Sequence, residues 1–443
     1  METLEVDPTE SPVPRLLLLK LISSGFSFFV AGINDGSLGA LIPYIRDEYD
    51  IDTNMVSIVY GTTFAGWFAA ALTNSYLSQY FDLGILLLLG AALQILAHVL
   101  RVWLPPFTLY TITFFLAALG QAYQDTHANN FVATVKGAHR WLGFIHAMYM
   151  AGCLVAPFVA TGVASSGNHH WHFFYAAPVG LGVLNLVLVC VAFREWAMLK
   201  KTASSEEQPT VSRQKDARVE MQKTLSSGGV WLLSLFFFFY LGAVITAGGW
   251  IVEYLVDVRN GDLDKMGYVP AGFYGGGFLG RLLLAEPTHR FGERRMVFIY
   301  IVLCLALELV FWLVPDIITE AVAISLLGFF SGPFFATVCD PMSISKGSSN
   351  NSRVYPSHRS SSLLKSGHLR LVCTPTFYLG RDALTRVAFI FLLGQIGGSV
   401  FPAITGVIAS EAGVKVLQPM LVGLLGATGV SWLIIPKPRL HHD

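Results

Sequence analysis

Two carboxylates lie inside apolar stretches long enough to cross a lipid bilayer. Asp35 sits in LLLLKLISSGFSFFVAGINDGSLGALIPYI, and Asp125 in LYTITFFLAALGQAYQDTHANNFVATV. About 20 apolar residues span the hydrocarbon core as a helix, and the helix satisfies its own backbone where no water can. An acid at mid-span costs about 2.5–3.5 kcal/mol on insertion scales. That cost is tolerated where the acid faces the polar interior of a helix bundle, so both residues point to a route for a solute or ion. The expected fold class is an all-α membrane protein.

Composition excludes other classes. The chain is 53% hydrophobic and 13% charged, unlike a soluble globular protein. Its formal net charge is zero, which offers no basic surface to nucleic acid. The five cysteines (Cys153, Cys190, Cys304, Cys339, Cys373) show neither CxxC nor metal spacing, so no disulfide framework and no metal site are expected. The opening METLEVDPTESPVPR is acidic and proline-rich, unlike the basic start of a signal peptide. The first apolar run is therefore expected to remain as a membrane helix.

Apolar runs fall near 17–43, 55–77, 84–104, 108–133, 142–165, 173–194, 230–255, 267–287, 296–314, 320–339, 387–410 and 414–435, twelve in all. The charged, flexible text between the sixth and seventh divides them six and six, the layout of a two-half carrier built from repeats. The expected organisation is a cytoplasmic tail over 1–15, a six-helix bundle over 16–194 and a linker over 195–229. A second bundle over 230–435 and a tail over 436–443 complete it. With the N-terminus inside, lysine and arginine gather in the cytoplasmic segments. Only Arg46, Arg101, Arg259, Lys265 and Lys415 fall outside, as the positive-inside rule requires. The halves also echo each other: GCLVAP in span five (152–157) matches GGSVFP in span eleven (397–402) in its Gly and Pro spacing.

Candidate site residues follow from helical spacing. Gln121, Asp125 and Asn129 recur every four residues and share one face of span four. Asn34 precedes Asp35 among glycines that can soften the first helix. His146 and Tyr149 share a face of span five, and histidine titrates near neutral pH. Asp125, Asp35 and His146 are the candidate proton-coupling groups. Asn34, Gln121, Asn129, Tyr149, Trp250 and Gln395 are the candidate solute-binding ones. Each has a plainer reading, as an interhelical hydrogen bond, an interfacial acid or an aromatic packing residue; Trp67, Tyr60 and Tyr240 share the last. Arg281 and Glu308 read as structural charges. His127 points away from Asp125, and His169, His170 and His172 read as a hydrated outer loop. No Walker or GxGxxG element and no nucleophile–histidine pairing is present, so neither ATP drive nor an enzyme activity is expected.

The loop after span eight reads GRLLLAEPTHRFGERRMVFIY (280–300) and resembles the cytoplasmic loop of the major facilitator superfamily. That resemblance implies a conformational gating loop carrying Arg290, Gly292, Arg294 and Arg295. Its first-half counterpart, SYLSQYFDLG, departs from the pattern at Gln79, Tyr80 and Asp82. Spans one, four and five resemble the fucose-permease-like branch and its fungal relatives. QDTHANNFV is similar to that branch's acid-Thr-x-Ala-Asn string, which places Asp125 on its essential acid and Asn129 on its asparagine. HAMYMAG puts His146 in the place of a glutamine and Tyr149 in that of an asparagine. The branch's first-helix acid falls on Gly39, one turn beyond Asp35, and span seven carries Val244 where relatives often have an acid.

What the resemblance implies is a twelve-helix carrier that alternates access to a central cavity, moving a small polar solute, sugar-like by analogy. The proton is the expected coupling ion, with no other cofactor. The lipid bilayer and the solute are its expected partners, with neither nucleic acid nor an obligatory protein partner. A plasma or vacuolar membrane is the expected location, with both termini cytoplasmic. An exporter of hydrophobic toxins on the same fold and a non-transporting sensor remain as alternatives. The Ser-rich, basic text over 338–387 is anomalous. It reads as a regulatory loop, as an insertion without a role, or as an intron translated around SRVYPSH.

Overall fold

Each apolar run becomes a helix in the computed structural model, which describes residues 14–166, 170–194, 222, 224–335 and 381–435. The first six are α1 (Arg15–Tyr49), α2 (Thr53–Tyr80), α3 (Leu83–Val102), α4 (Phe107–Ala133), α5 (Ala138–Ala164) and α6 (Ala176–Ala192). The second six are α7 (Gly228–Asp257), α8 (Val269–Leu283), α9 (Glu293–Leu313), α10 (Ile317–Ser331), α11 (Arg381–Ala412) and α12 (Leu417–Ile434). Nearly all of the N-terminal tail, the C-terminal tail, most of the linker and most of the 338–387 text lie outside the described residues, and Arg15, expected to end the tail, opens α1.

Local chemistry sets the helix ends. Asp52 caps α2 by accepting from the Met55 N–H at 2.9 Å, and Asp316 caps α10 through the Thr319 N–H at 2.8 Å. Nine of the described helices are long and apolar enough to cross a membrane. Of the other three, α8 and α10 have 15 residues each. The third, α4, carries Gln121, Gln124, Asp125, His127, Asn129 and Asn130, which dilute its apolar character.

The two halves repeat one packing scheme. In the first, α1 packs on α5 and α6, α3 on α4 and α6, and α2 on α4. In the second, α7 packs on α11 and α12, α9 on α10 and α12, and α8 on α10. Each set is the other moved along by six helices. The contacts between halves obey the same exchange: α2 meets α11, α5 meets α8, and α1 meets α7.

The paired GxxxxP strings acquire a physical reason. A Cβ on Gly152 would stand 2.2 Å from the Phe29 carbonyl oxygen of α1, and one on Gly397 would stand 2.0 Å from the Phe238 carbonyl oxygen of α7. Both glycines therefore let the fifth helix of a half lie directly on its first. In lipid, such close backbone contact replaces the hydrophobic drive that water supplies elsewhere.

Candidate functional site

Asp35 lies three-fifths of the way along α1 and is exposed, although Gly36, Ser37, Ile33 and Ala31 around it are buried. Side chains from the neighbouring helices nevertheless meet its carboxylate. Oδ2 accepts from Gln121 Nε2 of α4 at 2.8 Å and from the Tyr149 hydroxyl of α5 at 2.9 Å. Oδ1 accepts from Asn34 Nδ2 at 2.9 Å. Three of the six solute-binding candidates thus converge on one acid. Asp125, a turn below Gln121, is half-buried with an Oδ1 that has no hydrogen-bond partner, and it lies within electrostatic reach of Asp35. Asn129 continues the same face of α4, half-buried.

The remaining candidates lie elsewhere. His146 is buried between Phe28, with ring centroids 5.2 Å apart, and Phe335, at 4.6 Å. Its backbone carbonyl accepts from Arg281 Nη1 at 3.1 Å, so this stretch of α5 forms part of the seam between the halves. Trp250 is fully buried with its indole N–H on the Pro402 carbonyl at 3.0 Å, packed beside Tyr60. Gln395 is half-buried on α11. In the loop after α8, Gly292 has φ +93°, a backbone shape that suits glycine. Arg294 Nη2 donates to the Leu433 carbonyl at 3.1 Å, and Trp432 Nε1 donates to the Arg294 carbonyl at 3.0 Å. Arg294 therefore ties α9 to α12 within the second half, while Arg290 and Arg295 are exposed. His127 bonds Asn74 of α2 at 2.8 Å, away from Asp125 as its helix position requires. His172 bonds the Val102 carbonyl at 2.6 Å, and His169 lies outside the described residues.

One end of the molecule, where α1 finishes and α2 begins, is closed by bonds between the halves. Arg46 Nη1 meets Glu253 Oε2 at 2.7 Å, Tyr44 donates to Asp264 at 3.2 Å, and Ser57 donates to the Ala403 carbonyl at 2.8 Å. Beneath them α1 and α7 touch. A Cβ on Gly39 would stand 1.9 Å from the Gly248 carbonyl oxygen. No side chain fits at residue 39, so the acid of this helix sits one turn earlier, at Asp35.

Three of the arginines at the outer ends of the spans have partners inside the protein. Arg101 is 1% exposed, Arg46 bridges the two halves, and Arg259 holds Glu320 while capping α9 through the Trp312 carbonyl at 2.8 Å. Gln94, His98 and Arg101 recur at helical spacing along α3, and that stripe was the available signal. A second buried network went unread: Gln94 Nε2 and Asn185 Nδ2 both donate to Gln124 Oε1, at 2.9 and 3.1 Å, and Ser27 donates to Asn185 Oδ1 at 2.8 Å. It binds α1, α3, α4 and α6 into one unit behind the Asp35 cluster.

Comparison with known proteins gives the class. A model of the Major Facilitator Superfamily matches residues 25–349. The chain belongs to that superfamily, and it is a multi-pass, non-enzymatic membrane protein with the transporter fold. It is 26% identical to Bypass of stop codon protein 6 of Saccharomyces cerevisiae over 461 aligned positions, covering 100% of this chain and 87% of the yeast protein. A crystal structure of the E. coli fucose:proton symporter FucP superposes with a TM-score of 0.62 at 16% identity, covering 96% of this chain and 100% of that one. A D-xylose–proton symporter gives 0.69 at 10% identity, covering 95% and 98%. At these identities the solved structures speak for the fold.

Proposed function

We propose that the protein is a proton-coupled carrier of a small polar solute, with Asp35 as the acid at which proton and solute meet. The observation that supports this reading is the exposed Asp35 carboxylate holding donors from α4 and α5. An ionised carboxylate only accepts hydrogen bonds, so it can hold all three of its donors. A proton turns one acceptor position into a donor. Tyr149 can then rotate its hydroxyl to accept, whereas the Gln121 amide N–H cannot. Proton binding thereby reorganises the tie between α1, α4 and α5, and the released amide and hydroxyl groups are free for a solute. Asp125 supplies a second carboxylate one turn away. A sugar-like solute is favoured because the amide and hydroxyl lining matches solute hydroxyls, and because FucP and the D-xylose–proton symporter share the fold.

Rocking of the two halves about this site gives alternating access. With both termini cytoplasmic, the closed end carrying Arg46 and Glu253 faces outward, and Asp35 is reached from inside. A plasma or vacuolar membrane would house such a carrier. The test is proton uptake by proteoliposomes on addition of L-fucose, D-xylose or polyols. Solute-driven uptake lost in Asp35→Asn, with solute exchange retained, supports the assignment. Uptake unchanged in that variant refutes it, and loss only in Asp125→Asn transfers the coupling role to the second acid.

A further inference from the structure

We propose that Arg101, on α3, is a positioning residue that fixes the side-chain amide of Asn34 and thereby aims the Asp35 carboxylate at Gln121 and Tyr149. The inference rests on the reading of Asp35 as the proton-binding acid.

Arg101 is one of the largest fully buried side chains, and among the described residues it forms no ion pair with a carboxylate. A buried guanidinium without compensation is costly. Its Nε donates to Thr113 Oγ1 at 2.7 Å, and its Nη1 donates to Asn34 Oδ1 at 3.1 Å. Its flat face lies 3.7 Å from the centroid of Phe114 and 5.1 Å from that of Tyr175. Thr113 gives its own proton to the Tyr110 carbonyl at 2.5 Å, so a lone pair faces Arg101.

The direction of every bond in this chain is forced. A guanidinium has donors only, so the Asn34 atom that meets it must be the oxygen. The amide nitrogen is left to point at Asp35 Oδ1, 2.9 Å away. Without Arg101 the amide can turn over and present its oxygen to the carboxylate. Asp35 would then lose one of its three donors and meet a repulsive dipole. Arg101 therefore acts on the acid at one remove, across α1 and α3. The other charged or titratable groups that face Asp35 are Asp125 of α4, Tyr149 and Cys153 of α5, and Tyr274 of α8. None of them touches Asn34 through a hydrogen bond.

The readout is the infrared carbonyl stretch of the protonated Asp35 carboxyl, followed against pH in reconstituted protein and identified by its absence in Asp35→Asn. Arg101→Gln and Asn34→Ala are each expected to displace the midpoint by about one pH unit, the lower range for a nearby charge or hydrogen-bond donor. Asn34→Ala leaves Arg101 stacked on Phe114, which keeps the test informative if Arg101→Gln folds poorly. The double variant is expected to move the midpoint by clearly less than the sum of the single shifts, because both break the same relay, although the Arg101 charge also reaches Asp35 directly. Arg101→Lys retains the charge but not the two-pronged donor geometry, and recovers part of the shift.

An unchanged midpoint in Asn34→Ala overturns the proposal while leaving Asp35 as the titrating acid. Additive shifts in the double variant overturn it too, since Arg101 would then act through its bare charge. If wild type shows no band sensitive to Asp35→Asn, the coupling role of Asp35 falls first, and the positioning role with it.

Discussion

Gly39→Ala is the smallest change that should bias the transport cycle. In the closed arrangement the new Cβ would stand 1.9 Å from the Gly248 carbonyl oxygen, 3.0 Å from its carbonyl carbon and 3.2 Å from Gly249 Cα. Every one of those atoms is backbone, so no rotamer change relieves the clash. Helices α1 and α7 must part by about 1.5 Å to reach ordinary contact distance. Overpacking of this kind costs about 1–3 kcal/mol, which corresponds to a shift of roughly 5- to 150-fold away from the closed end. The ties from Arg46, Tyr44 and Ser57 remain and set the lower part of that range. Spin labels on Asn54, at the start of α2, and Glu411, at the end of α11, report the separation, since both sites are exposed and belong to opposite halves. Pulsed dipolar spectroscopy in a background cleared of native cysteines is expected to show a longer distance becoming dominant in Gly39→Ala. A distribution identical to that of glycine would refute the argument, because it would mean that the helices absorb a methyl group without separating.

Other perturbations test neighbouring parts of the same picture. Glu253→Gln removes the buried partner of Arg46 and should weaken closure by about 1–2 kcal/mol. That is less than the roughly 3–5 kcal/mol of a fully buried pair, because Arg46 is partly hydrated and keeps Asp257 at 3.6 Å; the same spin-label pair reads it, and the exchange Arg46→Glu with Glu253→Arg should restore the closed distance. Asp316, the exposed cap of α10, has its carboxyl held below the usual range by the Thr319 hydroxyl and N–H. Its stabilising effect is therefore complete above the unfolded-state value of about 4 and lost as pH falls through the lower folded-state value. Asp316→Ala should lower the melting temperature at neutral pH and by progressively less as pH falls below about 4; equal losses throughout would contradict the capping account. Gly397→Val should prevent α11 from lying on α7 and abolish monodisperse purification, with Gly152→Val doing the same through α5 and α1.

How much was legible in the sequence depended on which interaction decided each feature. The helices were readable because a bilayer admits so few structures: any apolar run of sufficient length must close its own hydrogen bonds. The importance of Asp35 was readable for the same reason, as an acid in such a run needs an explanation. Gln121 and Tyr149 were readable as polar faces of α4 and α5. Their convergence on the carboxylate of Asp35, with Asp125 left beside it, was not. The partners of Arg101 were not legible from its place near the end of α3, although Gln94, His98 and Arg101 mark one face of that helix. Lipid and protein interior have nearly the same polarity, so the stripe marks a face but does not say which residues of other helices it will meet.

The sequence by itself determined an all-α membrane chain with twelve apolar helices, two matching halves and two acids that lipid would not tolerate. Those conclusions follow from the solvent, which acts on each segment separately. Only the tertiary structure decided that Gly39 leaves no room for an acid, and that Arg101 is linked to Asp35 through Asn34. It alone decided that Arg46 crosses to Glu253, closing one end. Such features depend on the rotation and separation of helices distant in sequence, which are set by backbone contacts at Gly152, Gly397 and Gly248 that no single helix contains.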